Sequence, residues 1–305
     1  MARSLPWRQV VLSAGLVVFL FWRIPMAELG AAFHNLEVES LFLALYCVLV
    51  LLVLRAYKWH CLVSAGGNFG LQESIRTLLG GCALGLITPG RIGEFGRCLF
   101  VRKPERTQIA LLTLLDRCLD LWALLTLVGA SLFLLSPLVA IYGAVVWILL
   151  LPVLLGFPGV LANLSETVPA GKRFHGHLAQ IASRVPPAQM LRYATMSVAA
   201  MWVELASFFF LLSAFSPTGF TTTVATYPYI TLAADLPISF SGVGVREGVA
   251  AILLSPYAVP LGAAVDATVL WFVLGILLPA ILGIGWLLAE KLRFLLGFQP
   301  ADAQT

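Results

Sequence analysis

Two apolar regions of this sequence are each interrupted by a run that contains Pro, Gly, Arg and Glu. The runs are residues 88–97 (TPGRIGEFGR) and residues 235–247 (DLPISFSGVGVRE). Pro and Gly break a helix, and an unpaired charge surrounded by hydrocarbon costs several kcal/mol. Irregular, charged backbone is tolerated at that depth only where protein encloses it or where it lines a wet cavity. The two runs therefore predict a polar cavity inside an otherwise apolar structure.

The composition requires a membrane around such a structure. Apolar residues make up 60% of the 305 positions, charged residues only 11%, and the mean hydropathy is +0.95. A soluble domain would lack the polar surface it needs. The net charge of +4 is not gathered into a basic patch with interleaved aromatics, which argues against nucleic acid as a partner. We predict an all-α polytopic membrane protein with a single membrane domain, residues 1–305.

Windows of about 20 apolar residues are long enough to cross a bilayer. Six such windows occur, at residues 7–25, 40–62, 107–135, 137–156, 188–215 and 261–290. The two interrupted regions, residues 71–101 and 223–257, each leave two halves that are too short to span alone. We therefore expect six transmembrane helices plus two opposed re-entrant helical hairpins. The polar segment 158–188 fits either an amphipathic helix on the cytoplasmic leaflet or a plain loop, and the tail 298–305 is typical of disorder.

The basic residues predict the orientation, because Lys and Arg concentrate in cytoplasmic loops. With a cytoplasmic N-terminus, Arg23 is the loop cation placed outside. Those placed on or near the cytoplasmic side are Arg3, Arg8, Arg55, Lys58, Arg76, Arg102, Lys103, Arg106, Lys172, Arg173, Arg184, Lys291 and Arg293. Each hairpin must then return to the side from which it enters, the first from the cytoplasm and the second from the opposite face. This predicts a multi-pass protein of the inner (cytoplasmic) membrane with both termini in the cytoplasm.

The order span, span, hairpin, span occurs twice, in residues 1–135 and in residues 137–290. A shift of about 150 residues carries Glu94 onto the neighbourhood of Glu247. Because each unit crosses the membrane an odd number of times, the two copies would be inverted relative to each other. Inverted repeats with broken helices that meet near the midplane are typical of alternating-access transporters.

The charged residues of the first hairpin are spaced to share one helix face. Arg91, Glu94 and Arg97 recur every three residues, so Glu94 can pair with one arginine while the other stays free for phosphate. Backbone N–H groups of Gly90 and Gly93 would add donors. The second hairpin offers a parallel set, which is Gly242, Gly244, Arg246 and Glu247. A structural alternative stays open, in which each Arg and Glu merely neutralise one another and fix the bends.

Other charges lie within the predicted spans. Asp116, Arg117 and Asp120 lie on the third span, where the two aspartates project to one face a turn apart. Glu204 and Asp266 stand alone in later spans. Such groups are candidates for a proton relay or for ion pairs. No Ser–His or Cys–His arrangement, metal-ligand spacing or cofactor motif accompanies them, so we predict no catalytic residue, no metal and no cofactor.

Three motifs in order resemble a known membrane family. They are residues 86–94 (LITPGRIGE), residues 115–121 (LDRCLDL) and residues 236–248. The sequence resembles the flippase-like membrane family related to the transmembrane region of lysylphosphatidylglycerol synthase, also called multiple peptide resistance factor. The positions that match its motifs are Arg91, Glu94, Asp116, Arg117, Asp120, Arg246 and Glu247. Asp116 stands where the family often has Glu.

The resemblance implies translocation of a lipid, either aminoacylated phosphatidylglycerol or, as in other members, polyprenyl-phosphate-linked sugars. The soluble aminoacyl-transferase domain of full synthases is not in this sequence, so we expect no synthesis by the chain itself. We therefore expect a lipid flippase and not an enzyme. In this reading Arg91, Arg97 and Arg246 bind the headgroup phosphate, while Glu94 and Glu247 orient the arginines.

Several alternatives remain open from the sequence. A membrane-embedded enzyme that modifies a lipid or a polyprenyl-phosphate sugar is the alternative function. Proton coupling through Asp116, Asp120 or Asp266 and uncoupled scrambling fit the sequence equally well. The expected partners are membrane lipids with anionic headgroups. A homo-oligomer and a separate lipid-modifying enzyme are compatible with the same reading.

Overall fold

The computed structural model describes residues 37–67, 69–88, 91–101, 106–136 and 185–295, with isolated positions between 141 and 183. Some predicted segments lie wholly or largely outside the described residues, namely the windows 7–25 and 137–156, the segment 158–188 and the tail 298–305.

The described part of the chain is helical and contains no strand. Its elements, in chain order, are α1 (Val38–Gly66), α2 (Leu71–Leu86), a 3-10 segment (Ile92–Phe100), α3 (Arg106–Leu135), α4 (Pro187–Phe215), α5 (Phe220–Asp235), α6 (Val245–Leu254), a 3-10 turn (Ser255–Tyr257), α7 (Leu261–Phe272) and α8 (Leu278–Leu295). A π-helical turn, Val273–Leu277, joins α7 to α8 in one continuous helix. The all-α prediction is confirmed for these residues.

Three of the described helices are long and apolar enough to cross a membrane. They are Val38–Gly66, Pro187–Phe215 and Leu261–Glu290. A helix of 29 residues is about 43 Å long, which exceeds the hydrocarbon core of about 30 Å. Helix α3 has 30 residues but carries four charged side chains in its first half. The predicted windows 40–62, 107–135, 188–215 and 261–290 each fall inside one of these four long helices.

The exposed face of α1 is apolar, whereas charged side chains lie in the interior. Phe42, Tyr46, Leu49 and Val53 recur every three or four residues and form an exposed stripe along α1. By contrast, the charged side chains of the 3-10 segment and the first half of α3 include some of the most buried in the chain. A protein surrounded by water shows the opposite distribution, so this arrangement fits a helix bundle surrounded by hydrocarbon.

Both interrupted regions fold as two short arms joined by an irregular turn. The first pairs α2 with the 3-10 segment, and glycines let the arms approach closely: a Cβ on Gly81 would overlap Arg97, and a Cβ on Gly93 would overlap the Leu84 carbonyl. The second pairs α5 with α6 across a turn in which Ser241, Gly242 and Gly244 have positive φ. The α-helical arms have 16 and 10 residues, about 24 Å and 15 Å, so neither would span alone.

The turns of the two interrupted regions contact each other. The Ser241 hydroxyl donates to the Leu86 carbonyl at 3.1 Å and to the Gly85 carbonyl at 3.3 Å. Carbonyls in the last turn of a helix have no partner within that helix, so the second turn supplies a partner for the end of α2. The second run therefore contacts the end of the helix that leads into the first run.

Element lengths recur along the chain. Helices α1 and α4 both have 29 residues, and their bounds differ by 149 positions (38 to 187, 66 to 215). Helices α2 and α5 both have 16 residues and differ by the same 149 positions (71 to 220, 86 to 235). In the third pair the first residues, Arg106 of α3 and Leu261 of α7, differ by 155 positions. This regular spacing is what a duplicated unit would give.

Candidate functional site

The centre of the site is the Glu94 carboxylate, which three guanidinium groups surround. Arg91 lies 2.6 Å from Glu94, Arg97 lies 3.1 Å away, and Arg117 of α3 lies 3.2 Å away. The spacing of three along the 3-10 segment places Arg91, Glu94 and Arg97 on one face, as the sequence predicted. Glu94 is 1% exposed, so this cluster is enclosed by protein.

Asp116 extends the cluster to a second carboxylate and a second helix. Its carboxylate contacts Lys58 at 2.7 Å, Arg97 at 2.8 Å and Arg117 at 3.3 Å. Asp120 lies one turn further along α3 and contacts Lys58 at 2.5 Å and Arg117 at 2.9 Å. The three carboxylates and four cations form a continuous ionic network that joins α1, the 3-10 segment and α3, as such buried charges require.

A separate ion pair joins α1 to α4. Arg55 contacts Glu204 at 2.5 Å, and the Tyr227 hydroxyl donates to the other Glu204 oxygen at 2.9 Å. Arg55 and Glu204 are 149 positions apart, which is the spacing that separates α1 from α4. The two residues thus occupy equivalent positions in the recurring pattern.

Arg246 of α6 has a different environment from the arginines of the network. Its guanidinium lies 5.0 Å from the centre of the Trp271 ring, and one nitrogen donates to the Ser241 carbonyl at 3.3 Å. The other terminal nitrogen is buried without a partner. No carboxylate among the described residues pairs with Arg246. Glu247 instead accepts a hydrogen bond from the Gly244 amide at 2.6 Å and so caps α6.

The motif glycines serve the turns and the packing of the arms. The Gly93 amide donates to the Thr88 hydroxyl at 2.6 Å, and the Gly244 amide is used by Glu247. Gly242 has a φ of 76° and packs against Ala234 at the end of α5. The amides of Gly93 and Gly244 are therefore not free to bind a ligand in this structure. Gly90 lies outside the described residues.

Two cavities adjoin these charges. The larger, of about 220 Å³, has one wall of charged residues from α1, the 3-10 segment and α3. Its opposite wall is apolar and includes Ile75, Leu78, Leu79, Ile276, Pro279 and Leu282. Val53 and Leu282 line this cavity and are also exposed on the outer surface, so the cavity reaches the lipid-facing side between α1 and α8.

The smaller cavity, of about 90 Å³, lies against the second interrupted region. Arg246, Trp271, Glu204 and Asp235 line it. Its remaining charged lining residues, Arg55, Arg91, Arg117 and Asp120, also line the larger cavity. The two cavities are therefore neighbours that share one set of charges, and the shared set lies where the two halves of the chain meet.

A family model for the lysylphosphatidylglycerol synthase TM region matches residues 7–283 of the chain. The chain belongs to this family. Comparison with curated proteins gives no match. The family and the apolar helices together establish a membrane protein with a lipid-related role. In this member of the lysylphosphatidylglycerol synthase TM family, residues from all three motifs lie around the smaller cavity.

Most of the sequence-predicted residues meet at this site. Arg91, Glu94, Arg97, Asp116, Arg117 and Asp120 form one network, and Glu204 and Arg246 line the adjoining cavity. Arg97, however, is engaged by two carboxylates and lies 4.3 Å from the Trp59 ring, so it has little capacity left for a ligand. Asp266 lines neither cavity. It is buried in α7, with one carboxylate oxygen that has no partner.

Sequence reasoning missed two cations of the network. Arg55 and Lys58 served only as topology signals in the sequence analysis, but Lys58 is 2% exposed and bound to Asp116 and Asp120. Arg55 is likewise paired inside the bundle with Glu204. The available signal was their position within an apolar window, three residues apart and opposite a span that carries two aspartates. Tyr227 and Trp271 gave no comparable signal, and Asp235 stood only at the start of the second run.

Proposed function

We propose that this chain moves a phosphate-bearing lipid between the leaflets of the membrane and does not alter it chemically. The observation that carries the proposal is the larger cavity, in which a charged wall faces an apolar wall that reaches the outer surface. An amphiphile needs both walls, because its headgroup must be paired with charges while its tails stay in hydrocarbon. An aminoacyl-phospholipid and a polyprenyl-phosphate-linked glycan both have this character.

The size of the cavity supports transport of a headgroup with the tails outside. Pockets that enclose a whole drug-sized ligand measure about 300–1,000 Å³, and this cavity is smaller. A lipid whose headgroup occupied it would leave its chains in the membrane through the opening between α1 and α8. The protein then needs to lower only the free-energy cost of moving the polar headgroup through the hydrocarbon core.

The charge balance of the two cavities supports an anionic headgroup. Six cationic side chains line them, namely Arg55, Lys58, Arg91, Arg97, Arg117 and Arg246. Five carboxylates line them, namely Glu94, Asp116, Asp120, Glu204 and Asp235. Six positive charges against five negative charges leave a formal charge of +1. A single phosphodiester carries the −1 that would balance it.

The recurring element lengths support an alternating-access mechanism. Two copies of one unit, placed in opposite orientations, can exchange conformations and so open a shared site to each side in turn. In this proposal the two interrupted regions enter the inner membrane from opposite faces as re-entrant hairpins, with both chain termini in the cytoplasm. The Arg55–Glu204 pair lies where the two copies would rotate against each other.

The enzyme alternative has less support from the site. A general base must be free to take a proton, whereas each carboxylate of the network contacts at least two cationic side chains. A separate lipid-modifying enzyme would then supply the lipid that this chain moves. Whether the transporter acts as a homo-oligomer does not affect this assignment, because both cavities are built within one chain.

Reconstitution tests the proposal. The purified chain is placed in vesicles of phosphatidylcholine and phosphatidylglycerol that contain fluorescent phosphatidylglycerol or a fluorescent polyprenyl phosphate, and dithionite bleaches only the outer leaflet. The protein should make inner-leaflet label accessible, and Arg91→Ala should slow this by about 10-fold or more, the value of a charge-assisted hydrogen bond. Arg192→Ala is the matched control, because Arg192 is exposed and its side chain donates to the Tyr57 hydroxyl, away from both cavities.

Two results would oppose the proposal. Equal bleaching in protein-free and protein-containing vesicles would remove lipid translocation for the lipids used. A new covalent lipid product, detected by mass spectrometry of the same vesicles, would favour the enzyme alternative instead.

A further inference from the structure

We propose that the oxyanion of the ligand binds at Arg246 in the smaller cavity, where it takes the place that a protein carboxylate occupies beside Arg97. This inference rests on the proposed function and makes it more specific. It assigns the anion to one half of the molecule, and it gives Arg97 a structural role.

The equivalence of Arg97 and Arg246 follows from the recurring spacing. An offset of 149 positions relates α2 to α5, and the same offset carries Arg97 to Arg246 and Gly93 to Gly242. Gly93 and Gly242 each pack against the last turn of the preceding helix, which supports the alignment. The third helices begin 155 positions apart, at Arg106 and Leu261, and this offset carries Asp116 to Trp271.

Each of the two equivalent arginines contacts the third helix of its own half, but through a different kind of residue. Arg97 contacts the third helix of its half through Asp116 at 2.8 Å. Arg246 contacts the third helix of its half through the ring of Trp271, 5.0 Å from the guanidinium. The second half therefore keeps the cation and replaces the anion with an aromatic ring. Trp271 covers the face of the guanidinium but accepts no hydrogen bond from its edge.

The missing carboxylate leaves an unsatisfied cation that faces a cavity. Arg246 is 6% exposed, its second terminal nitrogen has no partner, and it lines the smaller cavity. A buried guanidinium in this state is unfavourable until an acceptor reaches it. Arg97 is not in this state, because both its terminal nitrogens are bound to carboxylates.

The other carboxylates that face the smaller cavity do not supply the missing partner. Glu204 is bound to Arg55 and Tyr227, and Asp120 is bound to Lys58 and Arg117. Asp235 is exposed at the end of α5, which places it at the mouth of the cavity. Arg91 and Arg117 also line the cavity, so an anion beside Arg246 would face further cations.

The dimensions and the chemistry fit a phosphate group. One water needs about 10–15 Å³ by this measure of volume, so 90 Å³ holds a tetrahedral group with several oxygens. A guanidinium binds such an oxyanion through charge-assisted hydrogen bonds. The phosphate could belong to a lipid phosphodiester or to free inorganic phosphate, and the test separates the two.

Calorimetric titration of the purified chain in a maltoside detergent, which contains no phosphate, tests the site directly. The two probes are dihexanoyl phosphatidylglycerol below its micelle concentration and inorganic phosphate. Trp271→Asp restores in the second half the carboxylate that the first half has at Asp116, and it should weaken binding of the phospholipid by about 10-fold to 100-fold. Arg246→Ala should weaken binding to the same extent.

Trp271→Asn is the matched control, since it removes the ring and adds polarity without adding a charge. It should retain binding to within about threefold, well below the effect of a charged hydrogen bond. Thermal unfolding of each variant identifies any that fail to fold, and Arg246→Lys then serves as a conservative replacement that should retain measurable binding.

The outcomes distinguish this inference from the proposed function. Loss of phospholipid binding in Trp271→Asp and Arg246→Ala, with retention in Trp271→Asn, supports the site. Unchanged affinity in folded Arg246→Ala or Trp271→Asp overturns it, even if the wild type still moves lipid in vesicles. Binding of inorganic phosphate alone overturns the lipid as the source of the oxyanion. If the phospholipid binds as expected but does not cross between leaflets, the proposed function fails and the binding site stands.

Discussion

At Lys58, a single ammonium group on α1 connects three helices. It contacts Asp116 at 2.7 Å and Asp120 at 2.5 Å on α3, and it donates to the Ser197 hydroxyl of α4 at 2.9 Å. The contacts with Asp120 and Ser197 are hydrogen bonds, and the contact with Asp116 is an ion pair. Removing one partner of such a buried pair costs more than the pair itself contributes, because the remaining charges lose their compensation.

Lys58→Met should therefore destabilise the chain by about 3–5 kcal/mol, the range for breaking one partner of a buried ion pair. Thermal unfolding in detergent measures the effect. The double variant Lys58→Met/Asp120→Asn removes a charge of each sign, so its loss of stability should be smaller than the sum of the two single losses. Arg192→Met changes an exposed cation and should leave the unfolding temperature close to that of the wild type. Unfolding of Lys58→Met at the wild-type temperature would show that the network is not needed for stability.

Residue-level reasoning from the sequence succeeded where spacing determines contact. Arg91, Glu94 and Arg97 are three apart, so their pairing follows from local geometry. It failed at Lys58. The sequence around a cation near the end of an apolar window is the same whether the cation lies in a loop or in a buried ion pair. The deciding fact was the presence of Asp116 and Asp120 across the bundle, and this depends on tertiary packing.

At the scale of elements, the first interrupted region depends on the close approach of its two arms. Gly80, Gly81 and Gly85 on α2 face Phe100, Arg97 and Glu94 of the 3-10 segment, in antiparallel order. Each glycine provides space for a larger side chain on the opposite arm. The charged face of the 3-10 segment is thereby held against α2, where it can reach α3 and the larger cavity.

Gly93→Ala should separate these arms. The added Cβ would overlap the Leu84 carbonyl, which is backbone and cannot rotate away, so we expect a loss of about 1–3 kcal/mol in stability, typical of overpacking, and slower lipid movement in vesicles. Gly129→Ala on α3 is the control, because a Cβ there would have open space. Calorimetry and the dithionite assay measure the two effects. If the two variants had equal stability and equal rates of lipid movement, close approach of the arms would not be needed for either property.

The positions of the helix breaks could be predicted from the sequence, but the hydrogen-bond partners of the glycine amides at those breaks could not. Clustered Pro and Gly favour a turn, so the turns after α2 and α5 could be predicted from the two runs. We expected Gly93 and Gly244 to offer amides to a ligand. Their amides are instead bound by Thr88 and Glu247, and the sequence carries no signal that ranks an internal acceptor above an external one.

At the scale of the whole molecule, the two halves meet at charged and polar contacts. The Arg55–Glu204 pair joins equivalent positions of the recurring pattern, and Ser241 contacts the end of α2 across the same region. The sequence predicted a shift of about 150 residues between the halves, and the helix bounds recur at 149. The opposite orientation of the halves in a membrane remains a prediction, because helix lengths alone carry no direction.

The depth of the two charged turns in the bilayer decides whether the polar site lies within the membrane. Spin labels are placed singly at Ile92 and Ile238, two exposed residues beside the interruptions, in a chain whose five free cysteines are replaced. Val38 at the start of α1 is the reference for the membrane surface. Collision with oxygen and with a water-soluble nickel chelate reports the depth of each label in vesicles. Both Ile92 and Ile238 should lie well below Val38, towards the middle of the hydrocarbon core of about 30 Å. Labels at the depth of Val38 would place the two charged turns at the water boundary and contradict a polar site within the membrane.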